Sequence, residues 1–330
     1  MRPFAASVSA AGRPALEQFA SDVEYYLTLT PRQLPSRYFY DALGSALFEA
    51  ICQLPWYRIT RAERDLLARR GREILAHADP VSTLVELGPG SGEKLATLIE
   101  AGRVAGRRLT VHLIDVSPAA LDLASRTLLA LDRPEAIDIV THQAAYEAGL
   151  AEAVARRRGR ERTLTLFLGS NIGNFDPPGA DAFLRNVRAA LAAGDVLLVG
   201  TDLVKPEAEL LLAYDDPLGV TAAFNRNLLV RINRELGADF DIGAFHHRAL
   251  WSAAESRVEM HLVADSRQHV HIPSSSLEVV FEAGDTIWTE SSYKYQPGDV
   301  VRMLERAGFR WIERWIDDED GFALTLVEAI

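Results

Sequence analysis

The sequence has very little of what secreted, zinc-stabilised or membrane proteins need. Cys52 is the only cysteine among 330 residues, which excludes an intrachain disulfide and a cysteine-rich zinc cluster. No apolar run approaches the roughly 20 residues that cross a bilayer. Residues 1–14 lack the continuous apolar core of a signal peptide, and residues 1–11 are expected to be disordered. We therefore expect a cytoplasmic protein without membrane contacts.

An excess of positive charge is also missing. The formal net charge is −11, whereas nucleic-acid binding usually needs a basic face that replaces counterions on phosphate. The basic run at residues 156–162 contains no aromatic residue and is interpreted as a solvated loop or helix end. The histidine pairs, His246 with His247 and His269 with His271, have no carboxylate or cysteine beside them that would complete a metal site. We expect no nucleic-acid partner, no metal, and a monomer rather than an obligate oligomer.

Strands alternate with helices from residue 80 onward. Strands are predicted at residues 82–87, 109–114, 137–140, 163–168 and 195–201. Ser117 and Pro118 have the residue types of an N-cap and a first helical position. This alternation predicts an α/β fold with a parallel sheet covered on both faces. A helix at residues 297–307 and strands at 309–316 and 322–328 predict a closing antiparallel hairpin.

Two further regions have a different pattern. Helical segments are predicted before residue 77, one of them capped by Thr60 with Glu63 completing a capping box. A long helix followed by strand-like stretches lies between residues 206 and 289. We therefore predict an α+β substrate-binding domain from residues 12–62 and 205–293. Residues 63–204 and 294–330 are predicted to form the nucleotide-binding domain.

A glycine turn follows the first strand of that domain. The turn is Gly88-Pro89-Gly90-Ser91-Gly92, it precedes a predicted helix, and Asp115 ends the next strand. Glycines bring the backbone close to a nucleotide, and an acid at the second strand binds ribose hydroxyls. The G-x-G-x-G spacing, Glu86 inside the first strand and the closing hairpin favour S-adenosylmethionine (SAM) over NAD. The fold class is thus a Rossmann-like SAM-dependent methyltransferase sheet.

Several further motifs in order resemble the histidine-specific methyltransferase family, over residue 31 to the C-terminus. The first are Phe39-Tyr40-Asp41, Gly44-Ser45, Leu54-Pro55, Thr60-Arg61-Ala62-Glu63, Glu86-Leu87-Gly88 and Phe167-Leu168-Gly169-Ser170-Asn171-Ile172-Gly173-Asn174. The others are Ala213-Tyr214-Asp215-Asp216, Gly219-Val220-Thr221-Ala222-Ala223-Phe224-Asn225-Arg226-Asn227, Arg257-Val258-Glu259-Met260 and Thr289-Glu290-Ser291-Ser292. Well-known members of that family trimethylate the α-amine of L-histidine to hercynine, the first step of ergothioneine biosynthesis.

The resemblance implies a role for each matching residue. Gly88 and Lys94 would contact SAM, and Asp115 would hold its ribose. Asn174 and Tyr214 would bind the substrate carboxylate. The remaining implied contacts are Tyr57 over the imidazole, Tyr40 and Asn174 near the reacting amine, Met260 against the ring, and Glu290 with Ser292 on its nitrogens. Residues 290 and 292 share one face of a strand, and a carboxylate with a hydroxyl can read both nitrogens of an imidazole.

One departure affects the adenine contact. Relatives carry an Asp followed by an aromatic residue after the third strand, where this chain has Gln143 and Ala144. Either the Gln143 side-chain oxygen accepts the adenine amino group, or the register shifts and leaves Ala145 there. Three alternatives to a histidine methyltransferase stay open. They are a relative acting on another amino acid such as tryptophan, a non-catalytic SAM-binding module, and an NAD-dependent oxidoreductase.

Overall fold

The computed structural model describes residues 13–102, 108–132, 136–155 and 162–330. Residues 1–11, which were predicted to be disordered, and most of the basic run at 156–162 lie outside the described residues. Backbone contacts divide the chain into two compact units. Of the described residues, the larger unit comprises those within 49–213, 251–258 and 291–330, and the smaller comprises those within 13–48, 214–250 and 259–290.

The described residues form helices and strands that alternate through most of the chain. The helices are α1 (Arg13–Leu27), α2 (Ala42–Cys52), α3 (Arg58–Ala78), α4 (Glu93–Gly102), α5 (Pro118–Leu129), α6 (Tyr146–Ala155), α7 (Pro177–Ala190), α8 (Glu207–Tyr214), α9 (Val220–Leu236) and α10 (Pro297–Arg306). The strands are β1 (Arg32–Gln33), β2 (Val81–Leu87), β3 (Leu109–Asp115), β4 (Ile137–Gln143), β5 (Arg162–Phe167), β6 (Val196–Asp202), β7 (Phe245–Ser252), β8 (Arg257–Ala264), β9 (Gln268–Ile272), β10 (Leu277–Phe281), β11 (Thr286–Tyr293), β12 (Phe309–Asp317) and β13 (Phe322–Ala329).

A seven-stranded sheet with the order β12-β13-β6-β5-β2-β3-β4 is the centre of the larger unit. The five strands from β6 to β4 are parallel, while β13 runs antiparallel to both β6 and β12. Strands β2, β5 and β6 are almost entirely buried, as expected when helices cover both faces of a parallel sheet. The predicted fold class, including the terminal antiparallel hairpin, is confirmed.

The starts of two helices in this unit were predicted from capping residues, one correctly and one wrongly. Ser117 is the N-cap of α5, and its side chain accepts a hydrogen bond from the Ala120 amide at 3.3 Å. The predicted capping box at Thr60 and Glu63 is wrong, because α3 begins at Arg58 with Tyr57 at its N-cap position, and Thr60 therefore lies inside the helix. Glu63 lies in the second turn of that helix and is fully buried.

The smaller unit has a core rich in aromatic side chains. Phe39 stacks on Phe224 with ring centroids 4.6 Å apart, and Phe245 meets Phe281 edge to face at 5.4 Å. All four rings are buried, and such aromatic pairs stabilise a core beyond the area that they bury. The unit contains α1, α9, the β9–β10 hairpin and most of a four-stranded sheet with the order β1-β11-β8-β7.

The boundaries between the units differ from the predicted domain boundaries. The predicted division after residue 62 falls inside α3, which is a continuous helix from Arg58 to Ala78. Residues 49–62 and 205–213 therefore belong to the larger unit. That the smaller unit binds the substrate stays a prediction. Within the described ranges, we find no helix with the length and apolarity that crossing a membrane requires.

Candidate active site

Three of the predicted cofactor residues meet at the carboxyl edge of the seven-stranded sheet. Gly88 directly follows β2, and its amide donates to the Ile114 carbonyl near the end of β3 at 2.9 Å. Asp115 and Gln143 are the last residues of β3 and β4 and lie opposite one another in register. Ligands of open parallel sheets bind at this edge, because the loops that follow the strands converge there.

The glycine turn leaves a cradle that side chains would fill. Gly88 has a φ of +73°, and a Cβ atom there would lie 2.9 Å from the Tyr146 hydroxyl and 3.3 Å from the Asn171 amide nitrogen. Gly92 has a φ of +78°, and a Cβ atom there would lie 2.8 Å from the backbone of Ala124 in α5. Gly88 must therefore be glycine so that a cofactor can approach the backbone closely, and Gly92 must be glycine so that α5 can pack against the turn.

Two acidic residues lie on the strands at this edge of the sheet, Glu86 in β2 and Asp115 at the end of β3. Burial raises the pKa of Asp115, although its carboxylate accepts a hydrogen bond from the Ser117 amide at 2.8 Å. Burial also raises the pKa of Glu86 to about 8, so this carboxyl is mostly protonated at neutral pH. Within the described ranges, the Glu86 Oε2 atom is buried and has no hydrogen-bond partner. A buried polar atom without a partner marks a place where a ligand or water group can bind.

Lys94 is held by a carboxylate that the sequence analysis assigned to a helix cap. Its Nζ lies 2.6 Å from the Glu63 Oε2 atom, and the Gly169 amide donates to both oxygens of the same carboxylate at 2.9 and 2.8 Å. Burial alone would lower the pKa of Lys94, but the negative charge of Glu63 raises it, so the amine stays protonated. Glu63 therefore joins α3, the start of α4 and the loop after β5.

A signal for Glu63 was present in the pattern of α3. The buried positions Ile59, Ala62, Leu66 and Leu67 define one face of this helix, and Glu63 lies on that same face. A charged residue in an apolar stripe needs a buried partner. Tyr146 was missed as well, because a tyrosine at the start of a helix carries no such signal. Burial raises the pKa of its phenol well above the ordinary value, so it stays neutral.

The predicted substrate residues of the larger unit lie on different elements. Tyr57 is buried and immediately precedes α3. Asn174 is exposed and ends the 3-10 helix Asn171–Asn174 that follows β5. It does not cap the next helix, since the Asp176 carboxylate accepts from the Gly179 amide and caps α7. Ser292, near the end of β11, is buried, and its hydroxyl lies 2.9 Å from the Lys294 Nζ atom.

The other predicted substrate residues belong to the smaller unit. Tyr40 is half-buried and packs edge to face on Phe224 and Phe48. Tyr214 is buried at the end of α8, and its carbonyl accepts from the His247 ring at 2.8 Å. Met260 is buried in β8, and Glu290 is half-buried in β11.

A family profile described as histidine-specific methyltransferase, SAM-dependent, matches residues 19–329. The chain belongs to this family. The match includes residues of both units, so the glycine turn and the smaller unit both belong to the sequence that defines the family.

Relatives with full-length similarity support the same assignment. The histidine N-alpha-methyltransferase of Mycolicibacterium smegmatis is 44% identical over 94% of this chain and 95% of its own length. The protein of the same name from Mycobacterium tuberculosis is 44% identical over 96% of this chain and 95% of its own. A more distant relative, the L-tryptophan methyltransferase trpM of Psilocybe serbica, is 27% identical over 90% of this chain and 88% of its own.

The methyl donor of the histidine-specific methyltransferases is SAM, and the cradle fits it. The turn at Gly88 leaves room for the cofactor, the unpartnered Glu86 oxygen offers a polar contact, and Asp115 offers a ribose acceptor. Strand β4 continues through Gln143, so Gln143 and not Ala145 ends the strand opposite Asp115. The Gln143 amide nitrogen is 3.5 Å from the Val116 carbonyl. Its contact with adenine stays a prediction.

One side-chain group in the described ranges has the composition of a metal site. The ligand atoms of Glu73, His77 and Glu313 lie within 4.8 Å of one another. Arg70 donates to the Glu73 carboxylate at 3.3 Å, so this carboxylate already has a cationic neighbour. The expectation of a metal-free reaction is untested by this arrangement and stays a prediction.

Proposed function

We propose that this methyltransferase transfers methyl groups from SAM to the α-amino nitrogen of L-histidine, three times in succession, to give hercynine for ergothioneine biosynthesis. The observation that carries the proposal is the 44% identity, over nearly the whole chain, to two proteins named histidine N-alpha-methyltransferase. The acceptor is a small amino acid, in line with the acidic net charge of the chain.

The cofactor contacts in this proposal come from the larger unit. Gly88 and Lys94 contact SAM, Asp115 accepts from the ribose hydroxyls, and Gln143 accepts from the adenine amino group. The Glu63 carboxylate supports this set, because it fixes the Lys94 ammonium at 2.6 Å. SAM supplies an electrophilic methyl group on a sulfonium, and the protein supplies position and electrostatics.

The substrate contacts use donors without a fixed positive charge. Asn174 and Tyr214 bind the carboxylate, and an amide and a phenol add no positive potential beside the sulfonium. Glu290 accepts from one imidazole nitrogen and Ser292 binds the other, with Tyr57 and Met260 packed on the ring. A site built for two polar ring atoms rejects substrates without them, because its own buried groups would then be left unsatisfied.

The reacting amine is the last part of the proposal. The free amine and both methylated intermediates are ammonium groups near neutral pH, so one proton must be lost before each of the three transfers, and Tyr40 or a bound water relays it. Three transfers build a trimethylammonium group, and the aromatic faces of Tyr40 and Tyr57 stabilise such a cation. Three mass increments on one nitrogen are therefore expected.

The test is mass spectrometry of L-histidine incubated with the purified protein and SAM, with L-tryptophan in a parallel reaction. Histidine products heavier by one, two and three methyl groups, with tryptophan unchanged, are expected. Methylated tryptophan would keep the fold and the reaction type and overturn the specificity. No product from either amino acid, with SAM still bound in calorimetry, would favour another substrate or a non-catalytic SAM-binding module.

A further inference from the structure

A chain of buried hydrogen bonds in the smaller unit ends at Tyr214, one of the proposed substrate residues. His247 of β7 lies with its Nε2 atom 2.8 Å from the Tyr214 carbonyl oxygen. Its Nδ1 atom lies 2.8 Å from the side-chain nitrogen of Asn225 in α9, and that nitrogen donates to the His261 carbonyl of β8 at 3.1 Å. The chain therefore joins Tyr214 to α9, β7 and β8.

The direction of these hydrogen bonds is fixed by the backbone carbonyls at the two ends of the chain. A carbonyl only accepts, so the Asn225 group that faces the His261 carbonyl is its NH2 group and not its oxygen. The same NH2 group faces the His247 ring, so the Nδ1 atom of that ring is bare and accepts. The other ring nitrogen carries the proton and donates to the Tyr214 carbonyl. Burial lowers the pKa of His247, which keeps the ring in this neutral form.

The Tyr214 carbonyl needs a donor from outside its helix, because the last four carbonyls of a helix have none within it. Tyr214 is the last residue of α8, and His247, 33 positions away, supplies a donor. Water or a glycine turn often satisfies such carbonyls. Here the fully buried partner of the ring, Asn225, keeps an Oδ1 atom that has no hydrogen-bond partner in the described part of the chain. Because an apolar core would be more stable than a partly satisfied polar network, this network indicates a requirement other than stability.

We propose that His247 is a positioning residue, which fixes the backbone of Tyr214 so that the Tyr214 side chain meets the substrate carboxylate. The inference rests on the proposed function, in which the Tyr214 phenol binds that carboxylate. Asp216 adds support from the other side, because its carboxylate accepts from the Val220 and Thr221 amides at 3.2 and 2.7 Å and so fixes the chain two residues after Tyr214. His247 itself does not touch the substrate and acts only through Tyr214.

A misplaced phenol would weaken the preference of the protein for ligands that carry a carboxylate. L-Histidine and histamine share the imidazole and the amine, and only L-histidine has the carboxylate. The preference is the Kd of histamine divided by the Kd of L-histidine, both measured calorimetrically with S-adenosylhomocysteine bound. A positioning role predicts that loss of the His247 donor lowers this ratio. A purely structural role predicts that both affinities fall by the same factor and leave the ratio unchanged.

The first experiment compares His247→Gln with His247→Asn. The amide nitrogen of glutamine reaches the position of Nε2 and keeps the donor, whereas that of asparagine reaches only the position of Nδ1. His247→Gln is expected to stay within about twofold of the wild-type ratio, and His247→Asn is expected to lower the ratio about fivefold, in line with the loss of one hydrogen bond. His246→Asn is the matched control and should leave the ratio unchanged, because the neighbouring His246 is exposed and pairs with Asp265.

The second experiment is a double variant, which shows whether His247 acts through Tyr214. Tyr214→Phe removes the phenolic donor and is expected to lower the ratio about tenfold by itself, because the lost hydrogen bond has a charged acceptor. His247→Asn added to Tyr214→Phe should then lower the ratio no further, since the group that His247 positions is already gone. Losses that add in the double variant would overturn the inference, because His247 would then act independently of the phenol.

Two further results would overturn the inference. They are a wild-type ratio in His247→Asn, and an equal fall of the ratio in His247→Gln and His247→Asn. If His247→Asn does not fold, His247→Phe keeps a ring without a donor and takes its place. A wild-type ratio in Tyr214→Phe would overturn the carboxylate contact of Tyr214 and the inference with it. Failure of the proposed function is seen separately, as the absence of methylated L-histidine with the wild-type protein.

Discussion

The buried carboxyl of Glu86 should make the stability of the protein depend strongly on pH. In the folded state burial raises its pKa from 4.5 to about 8. Between about pH 4.5 and pH 8 the folded protein therefore holds a proton that the unfolded chain has released. Raising the pH through this window favours the unfolded state. The stabilising contribution is complete below pH 4.5 and is lost as the pH approaches 8.

The size of the effect follows from the two pKa values. A difference of about 3.5 between them corresponds to about 5 kcal/mol, which is comparable with the whole stability of many domains. Glu86→Gln keeps the volume and a neutral side chain at every pH. The unfolding free energy of the variant, relative to wild type, is therefore expected to rise by about 2–5 kcal/mol between pH 5 and pH 8.

Chemical unfolding in guanidinium chloride, without cofactor, at several pH values measures this difference. Glu305→Gln is the matched control, because it makes the same change of residue type at an exposed position of α10. If wild type and Glu86→Gln lose stability in parallel between pH 5 and pH 8, Glu86 is already ionised in the folded protein. The raised pKa, and the protonated carboxyl beside the cradle, would then be wrong.

Three further substitutions test the geometry around the cradle. Gly92→Ala should destabilise the protein by more than about 2 kcal/mol in chemical unfolding, because its Cβ atom would lie 2.8 Å from the backbone of α5. Gly90→Ala is the control and should cost about 1 kcal/mol, since the nearest atom to its Cβ would be 3.8 Å away. Equal losses would contradict the packing role of Gly92. Ser117→Ala should cost about 1 kcal/mol through loss of the α5 cap, and no change in unfolding midpoint would show that water replaces the cap. Glu63→Gln should weaken S-adenosylhomocysteine binding about tenfold in calorimetry, because Lys94 loses its charged partner, and an unchanged Kd would remove Glu63 from the cofactor site.

The layers of the larger unit were predictable because local signals agree with the fold. Continuous apolar runs gave the buried parallel strands, and the Ser117-Pro118 pair gave the start of α5. The glycine turn and Asp115 were placed correctly at the edge of the sheet, since parallel strands bring their carboxyl ends together. These signals lie within about ten residues of the features that they predict.

What escaped prediction depends on partners far apart in the chain. Glu63 has the residue type and spacing of a capping box, but its partners are Lys94 and the Gly169 amide, which lie 31 and 106 positions away. Nothing near Ser292 in the sequence predicts that Asp202 would hold its neighbour Lys294. Local patterns specify elements, whereas buried ion pairs specify how the elements meet.

Two contacts between distant parts of the chain meet at one short loop. The loop after β5 contains Gly169, whose amide donates to the Glu63 carboxylate, and Ser170, whose hydroxyl accepts from the Asp202 amide at 2.9 Å. Ser170 has a φ of +56°, a conformation that a non-glycine residue adopts only when its surroundings hold it there. The loop leads directly to Asn174. Its backbone is therefore held by α3, through Glu63, and by β6, through Asp202. In the proposed function Asn174 binds the substrate carboxylate, and such a contact needs a fixed backbone, because an ångström of misplacement can cost a hundredfold in rate.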